Sequence, residues 1–219
     1  MHYGYIGLGN LGGHIAACLV RAGFRVTVHD LNPALADRLV AMGATWADSP
    51  EAVAAAVDHV VTCLPSPAVS EAVVRRLLPA MKPGATWIEN STLGRDDIRR
   101  LGALAEGAGM QVLECPVTGG VHLAARGEIT VLAGGERSVF DLHMPALRAI
   151  GNRHFHMGPL GSAAIIKVIT NMLAFIHLKA CAEALMLAEA AGIDAARLPQ
   201  CLAGGHADSS LLQRLYPQM

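Results

Sequence analysis

The feature that most constrains the fold of this chain is a glycine-rich turn near its start, in the stretch YIGLGNLGGHIAACLVRAG. Its glycines have the spacing G-x-G-x-x-G, directly after an apolar strand pattern and at the beginning of a helical pattern. The first glycine permits a tight turn, the second lets a pyrophosphate approach the backbone, and the third allows close packing between helix and strand. Backbone N–H groups at the start of the helix then face the phosphates. The pattern predicts a dinucleotide site formed by Gly7, Leu8, Gly9, Asn10, Leu11 and Gly12.

An acidic residue follows the second predicted strand. Asp30 comes directly after RVTVH, 18 positions after Gly12. An acid at this place accepts hydrogen bonds from the ribose hydroxyls of NAD and repels the 2′-phosphate of NADP. No arginine follows in LNP to neutralise that phosphate, so we expect NAD to be preferred over NADP. A methyltransferase site also combines a glycine turn with an acid here, but the third glycine counts against that alternative.

Short apolar runs and helical stretches alternate from residue 2 to about residue 133. Such alternation is typical of βαβ units with a mostly parallel sheet. Prolines stand where helices would begin and glycines where helices would end, at Pro33, Pro50 and Pro67 and at Gly23, Gly43 and Gly109. The predicted fold class is therefore α/β, with a Rossmann-type, doubly wound sheet.

A long apolar helix is predicted after Gly158, ending at Gly192. If it is continuous from Leu160, it spans about 48 Å, which is longer than a small domain is wide. Such a helix joins domains, so we place a dinucleotide-binding domain at residues 1–157 and the start of an all-helical, incomplete C-terminal domain at residues 158–219. Because the helix is apolar around most of its circumference, other elements must cover it.

The composition excludes several classes of function. With 53% apolar residues and a formal net charge of -1, the chain can bury a large core but presents no basic field for nucleic acid. MHYGYIGLG lacks a signal-peptide pattern, and polar residues interrupt the apolar runs, so we expect a cytoplasmic protein with no membrane partner. The five cysteines show no CxxC spacing, and His154 and His156 have no third ligand nearby, so no metal site is expected.

A second glycine cluster lies in ECPVTGG, residues 114–120. The Thr118 hydroxyl and the backbone N–H groups at Gly119 and Gly120 would form a compact pocket that suits a carboxylate. Taken alone, this segment is more simply a turn between strands.

Three segments together resemble the β-hydroxyacid dehydrogenases: GYIGLGNLG, CPVTGG followed by ARGEITVLAGG, and GPLGSAAIIKVITN. This family includes 3-hydroxyisobutyrate and 6-phosphogluconate dehydrogenases. The resemblance implies hydride transfer between NAD and a small 3-hydroxy acid or the corresponding semialdehyde, with Thr118, Gly119 and Gly120 on the substrate. It also implies that the loops after the fourth and fifth strands flank the cofactor, through Leu64, Pro65, Ser91 and Thr92.

Lys167 stands in the apolar helix, four residues before Asn171 and on the same helical face. By the resemblance, Lys167 is the general acid/base, and Asn171 binds the substrate or holds the lysine. Burial would lower the pKa of the amine toward the working pH. The structural alternative is a lysine that extends to water or pairs with a carboxylate from another segment.

The chain departs from the family pattern at Glu114, usually Asp, at Leu123, where a glycine-rich step often occurs, and at Glu128, usually Thr, so the substrate is open. It stops at LLQRLYPQM, where the family continues with further helices. We expect a naturally short chain or a fragment, and a homodimer or homotetramer that covers the long helix. The alternatives are a catalytically impaired NAD-binding scaffold and an imine reductase-like enzyme. A decarboxylating phosphogluconate enzyme is less favoured, since that branch has a larger helical domain.

Overall fold

The computed structural model describes residues 1–209 and 212–213. The strands are β1 (His2–Ile6), β2 (Arg25–His29), β3 (Thr45–Trp46), β4 (His59–Thr62), β5 (Thr86–Glu89), β6 (Gln111–Glu114), β7 (Val117–Thr118), β8 (Ile129–Gly135) and β9 (Gly151–His156). The helices are α1 (Gly12–Arg21), α2 (Asp37–Ala41), α3 (Pro50–Ala56), α4 (Pro67–Leu77), α5 (Arg95–Gly107), α6 (Val121–Arg126), α7 (Arg137–Ile150), α8 (Ser162–Ala190) and α9 (Leu198–Leu202). Of the terminal stretch LLQRLYPQM, only Leu212 and Gln213 are among the described residues.

The strands form one sheet in the order β3-β2-β1-β4-β5-β6-β8-β7, with β9 beside β8. Strands β1 to β6 are parallel, β8 is antiparallel to β6 and β7, and β9 is parallel to β8. The prediction of an α/β fold with a mostly parallel sheet is confirmed. The strand order reverses between β1 and β4, and ligands of such sheets bind at this reversal, outside the carboxyl ends of the strands.

Proline and serine together define the starts of α3 and α4. The Ser49 hydroxyl accepts a hydrogen bond of 3.1 Å from the Ala52 N–H, directly before Pro50. Ser66 does the same for Val69 at 3.3 Å, directly before Pro67. A side-chain acceptor and a preset proline φ both favour helix initiation. The predicted helix starts at these two prolines are therefore confirmed.

The apolar core has two parts, one on each face of the sheet. Consecutive residues of one strand belong to different parts of the core. Val61 and Ile88 pack with α1 and α7, whereas Val60 and Trp87 pack with α3, α4 and α5. This alternation follows from the two-residue period of a strand. Because both faces are covered, the central strands β4, β5 and β6 are apolar in the middle and have polar residues only at their ends.

The described chain divides into two compact units, Met1–Lys167 and Val168–Met219. Helix α8 contributes to both; its 29 residues span about 44 Å. The helix begins at Ser162 because Gly158 and Gly161, with φ of 119° and 96°, form a turn before it. The second unit buries Leu185, Ala188 and Leu212. A domain boundary near residue 157 stays a prediction.

Helix α8 is long and apolar enough to cross a membrane, with a mean hydropathy of 1.5 over its most apolar window. Polar residues such as Lys167 and Asn171 interrupt this stretch as expected, but they are too few to lower its average hydropathy. The expectation of no membrane partner stays a prediction. Length and composition alone do not distinguish a membrane span from a helix that packs within a domain.

Candidate active site

The glycine turn between β1 and α1 combines two glycines required by packing with one that is not. A Cβ at Gly7 would collide with the Cys63 carbonyl oxygen, and a Cβ at Gly12 would collide with the carbonyl oxygen of Gly7. Gly7 also has a φ of 95°, which other residues rarely adopt. Around Gly9, by contrast, no described atom lies within 4 Å of the place that a Cβ would occupy. The space beside Gly9 is therefore open to a group that approaches the backbone, as a pyrophosphate does.

Asp30 connects the end of β2 to this turn. Its Oδ2 accepts a hydrogen bond of 2.7 Å from the Leu8 N–H, and its Oδ1 accepts one of 2.9 Å from the Asn32 N–H. The carboxylate is thus held beside the glycine turn, at the carboxyl end of the sheet, and each oxygen keeps a further lone pair for a ligand hydroxyl.

Hydrogen bonds link the loops that follow β4, β5 and β6. The Ser91 hydroxyl accepts a bond of 2.7 Å from the Leu64 N–H, and Asn90 Nδ2 donates one of 2.8 Å to the Cys115 carbonyl. Pro65 and Thr92 lie on the same two loops, next to Leu64 and Ser91. The residues expected to flank the cofactor therefore lie on loops that hold each other in place.

A buried glutamate at the end of β5 holds the loop that follows this strand. Glu89 ends β5 and is 1% exposed; its Oε1 accepts a hydrogen bond of 2.7 Å from the Ser91 N–H. Burial raises the pKa of this carboxyl to about 7. The sequence interpretation did not name Glu89, although the repeated pattern of an acid at the end of an apolar strand, in TWIE and QVLE, was available as a signal.

The ECPVTGG segment forms the end of β6, a short connection and β7. Val117 and Thr118 pair antiparallel with β8, so this part is a strand rather than a simple turn. Gly119 and Gly120 follow with φ of 129° and 84°, in the left-handed region that favours glycine. The side chain of Leu123 lies against Gly119, where a Cβ would come within 2.7 Å of Leu123 Cδ1. This leucine, at one of the departures from the family pattern, helps to shape the loop.

The first turn of α8 is attached to β6 through Glu114. Its carboxylate accepts hydrogen bonds from the N–H groups of Gly161, Ala163 and Ala164, at 2.6, 3.0 and 3.1 Å. Ala164 also lines a small cleft together with Glu89, Ser91, Glu114 and Pro116. The sequence interpretation named Glu114 only as a departure from the family pattern, because its partners are 47 to 50 residues away.

Lys167 lies one helical turn after the residues bound by Glu114. Its side chain is half-buried, and burial lowers the pKa of the amine below its usual value. Within the unit Met1–Lys167, the structure thus joins the glycine turn to Asp30 and the start of the lysine helix to the segment before Thr118. Asn171 lies on the same helix, in the second unit.

Comparison with known proteins identifies the family. The family model for the NAD binding domain of 6-phosphogluconate dehydrogenase matches residues 2–158, and that described as NAD-binding of NADP-dependent 3-hydroxyisobutyrate dehydrogenase matches residues 161–219. The chain belongs to the β-hydroxyacid dehydrogenase family. The second match contains the whole of α8, so the family assignment includes this helix.

Relatives of this family member agree in sequence and in fold. A probable 3-hydroxyisobutyrate dehydrogenase of Mycobacterium tuberculosis is 37% identical over 91% of this chain and 68% of its own length. An NAD-dependent L-serine dehydrogenase of Pseudomonas aeruginosa is 33% identical over 90% of this chain and 67% of its own length. The structure of Mycobacterium tuberculosis 3-hydroxyisobutyrate dehydrogenase with L-serine has a TM-score of 0.92, at 32% identity, over 99% of this chain and 75% of that one. These relatives support an NAD(P)-dependent hydroxyacid dehydrogenase.

Proposed function

We propose that this family member transfers a hydride between NAD and a small 3-hydroxy acid or the corresponding semialdehyde, with Lys167 as the general acid/base. The observation that carries the proposal is the half-buried amine of Lys167, one turn after the start of a helix that Glu114 attaches to the segment before Thr118. Burial lowers the pKa of this amine, as a group that alternates between base and acid near neutral pH requires.

The residues around the glycine turn fit a dinucleotide. Open space beside Gly9 allows the pyrophosphate to approach the backbone, and Asp30 lies where it can accept hydrogen bonds from ribose hydroxyls. The negative charge of Asp30 supports NAD over NADP. A related structure holds NADP+, at a TM-score of 0.87 and 26% identity, and kinetics with both cofactors test the preference of this chain.

Side chains and backbone groups of the protein transfer the proton and orient the substrate. The nicotinamide supplies or accepts the hydride at the substrate carbon. In the oxidation, the neutral Lys167 amine takes the proton of the substrate hydroxyl; in the reduction, the ammonium returns it. Thr118, Gly119 and Gly120 bind the substrate carboxylate, and Asn171 binds the substrate or orients the lysine. Leu64, Pro65 and Thr92 border the cofactor.

Substitution of Lys167 tests the catalytic assignment. Lys167→Met removes the amine and keeps most of the side-chain volume, and we expect kcat on the best of a panel of hydroxy acids to fall by about 10²- to 10⁴-fold at saturating NAD. The matched control is Lys179→Met on the same helix, since Lys179 is exposed and forms a surface ion pair with Glu183. Unchanged turnover in Lys167→Met would refute the assignment.

The second candidate is a catalytically impaired NAD-binding scaffold. The chain spans 68% of the length of the Mycobacterium tuberculosis relative. Calorimetry that shows NAD binding without turnover on any panel member would favour the scaffold. Imine reductases share the fold, with TM-scores of 0.84 at 19% and 24% identity, and this similarity concerns the fold alone.

A homodimer or homotetramer through α8 is also part of the proposal. Val168, Met172, Phe175 and Ile176 are 51% to 69% exposed and recur at the spacing of one helical face. An apolar face of this kind is typical of an interface rather than of a solvated surface. A second copy of the chain supplies a matching face by symmetry. A cytoplasmic location stays a prediction.

A further inference from the structure

Glu114 has an unusual set of partners for an acid at the end of a strand. The residue is 2% exposed, and its two carboxylate oxygens accept three backbone N–H groups: Oε1 from Gly161 and Ala163, Oε2 from Ala164. These N–H groups belong to the turn before α8 and to the first turn of α8. N–H groups at the start of a helix have no carbonyl acceptor within that helix. The carboxylate therefore serves as a cap supplied from β6, a distant part of the sequence.

Three bonds to one carboxylate fix its orientation as well as its position. Bonds from N–H groups to an ionised acceptor are shorter and stronger than neutral ones, and a negative charge at a helix N-terminus also interacts favourably with the helix dipole. Burial raises the pKa of this carboxyl, while the three N–H groups oppose that change by favouring the charged form. The cap thus depends on the carboxylate rather than on side-chain bulk.

A glycine on the neighbouring strand makes room for this carboxylate. Gly134 of β8 lies opposite Glu114 in the antiparallel register, and a Cβ at Gly134 would collide with Glu114 Oε1. The φ of Gly134 is outside the left-handed region, so its backbone conformation does not require glycine. The need for space beside the Glu114 carboxylate explains why glycine occupies position 134. This observation is independent of the hydrogen bonds of Glu114.

We propose that Glu114 is a positioning residue for the reaction, one that sets the place of Lys167 relative to the Thr118 loop. Along the chain, Glu114 precedes Thr118 by four residues; through its carboxylate, it holds N–H groups that precede Lys167 by three and four residues. One side chain therefore joins the two short segments that carry the proposed base and the proposed substrate pocket. The inference rests on the proposed function, in which both groups meet the substrate.

The effect of Glu114 is tested by separating turnover from cofactor binding. Glu114→Gln keeps the shape but removes the charge and places an amide donor against the helix N–H groups. We expect kcat to fall by about 10²-fold, as for a misplaced catalytic group, while the Kd of NADH, measured by fluorescence, stays within about twofold. Glu114→Asp retains the charged acceptor and should recover part of kcat. Glu106→Gln, on the exposed face of α5, is the charge-matched control.

Gly134→Ala is an independent variant that leaves Glu114 in place but displaces its carboxylate. It should lower kcat in the same way, whereas Gly107→Ala, where a Cβ meets open space, should not. Amide hydrogen exchange by mass spectrometry then reports the cap directly: exchange over residues 161–164 should be faster in both Glu114→Gln and Gly134→Ala.

The outcomes distinguish this inference from the proposed function. If Lys167→Met abolishes turnover but Glu114→Gln keeps full kcat, the positioning role is wrong and the proposed function stands. Loss of NADH binding in parallel with kcat in Glu114→Gln and Gly134→Ala would also overturn it, by showing a general structural role. If Lys167→Met keeps full turnover, the proposed function fails, and the positioning role fails with it even where the exchange difference persists.

Discussion

Asp30 Oδ2 accepts a hydrogen bond of 2.7 Å from the backbone N–H of Leu8, so the acid after β2 is attached to the glycine turn itself. The residue that is expected to select the cofactor thereby also shapes the loop that binds its phosphates. The Asp30 side chain thus affects both the choice between NAD and NADP and the geometry of the turn. A variant of Asp30 must keep the hydrogen bond to the turn while it changes the charge.

Asp30→Asn removes the charge and keeps one oxygen as an acceptor for a backbone N–H. We expect the ratio of kcat/KM with NADP to kcat/KM with NAD to rise by about tenfold or more, because repulsion of the 2′-phosphate is lost. Steady-state kinetics with both cofactors measure this ratio. Asp37→Asn, at an exposed position of α2, is the control. A wild-type protein that prefers NADP would show that this use of Asp30 is wrong.

Gly9→Ala separates cofactor binding from folding. Because a Cβ at Gly9 meets no described atom within 4 Å, the variant should fold with a thermal midpoint close to that of the wild type. The methyl group would occupy the space that the pyrophosphate needs, so we expect the Kd of NADH to increase by about 10-fold or more. Gly107→Ala, also in open space, should change neither quantity. Tight NADH binding by Gly9→Ala would contradict the placement of the pyrophosphate.

A buried histidine should make the protein sensitive to acid. His143 on α7 is fully buried, and its Nδ1 lies 2.9 Å from the Tyr3 hydroxyl. Burial, with a smaller effect of His59, lowers the pKa of His143 to about 3 from 6.5. The folded state therefore binds fewer protons than the unfolded state below about pH 6.5. The contribution of His143 to stability is complete above that pH and is lost progressively as the pH falls toward 3, at about 1.4 kcal/mol for each pH unit.

His143→Phe removes this titration and should flatten the pH dependence between pH 6.5 and 4.5. Denaturant unfolding of variant and wild type at several pH values measures the difference in the free energy of unfolding. The comparison of variant with wild type is needed because Glu89 acts with the opposite sign in the same pH range. Burial raises the pKa of Glu89 from 4.5 to about 7, so its contribution to stability is complete below about pH 4.5 and is lost as the pH rises from there to about 7. His206→Gln, at an exposed position, is the control. Parallel pH profiles for His143→Phe and wild type would disprove the role of His143.

Charges on the apolar face of α8 should dissociate the proposed oligomer. Phe175 is 69% exposed, so Phe175→Glu costs the single chain little but places a charge in an interface that buries this face. Light scattering after size exclusion should show a dimer or tetramer for wild type and a monomer for the variant. Glu183→Gln, which alters a surface ion pair on the same helix, is the control. A wild-type monomer at micromolar concentration would exclude the assembly.

Local features of the chain were predictable because they depend on neighbouring residues. Gly7 and Gly12 occupy places in the turn where a Cβ would collide with backbone, and the starts of α3 and α4 follow from Pro50 and Pro67. The alternation of strands and helices likewise determined the fold class. Each single turn, strand or helix signal lies within a window of about 20 residues, and the fold class follows from the order of these signals along the chain.

Only the tertiary structure decided how distant segments meet. Strands β3 and β7 have two residues each, too few for a periodic pattern, and exist because β2 and β8 pair with them. The roles of Glu89 and Glu114 depend on which loops and helix ends surround them after folding. A buried carboxyl group needs hydrogen-bond donors or an opposite charge around it, and no local pattern records which groups fold against it. The sequence by itself determined the nucleotide turn and the lysine helix; the folded chain decided that Glu114 joins that helix to the sheet.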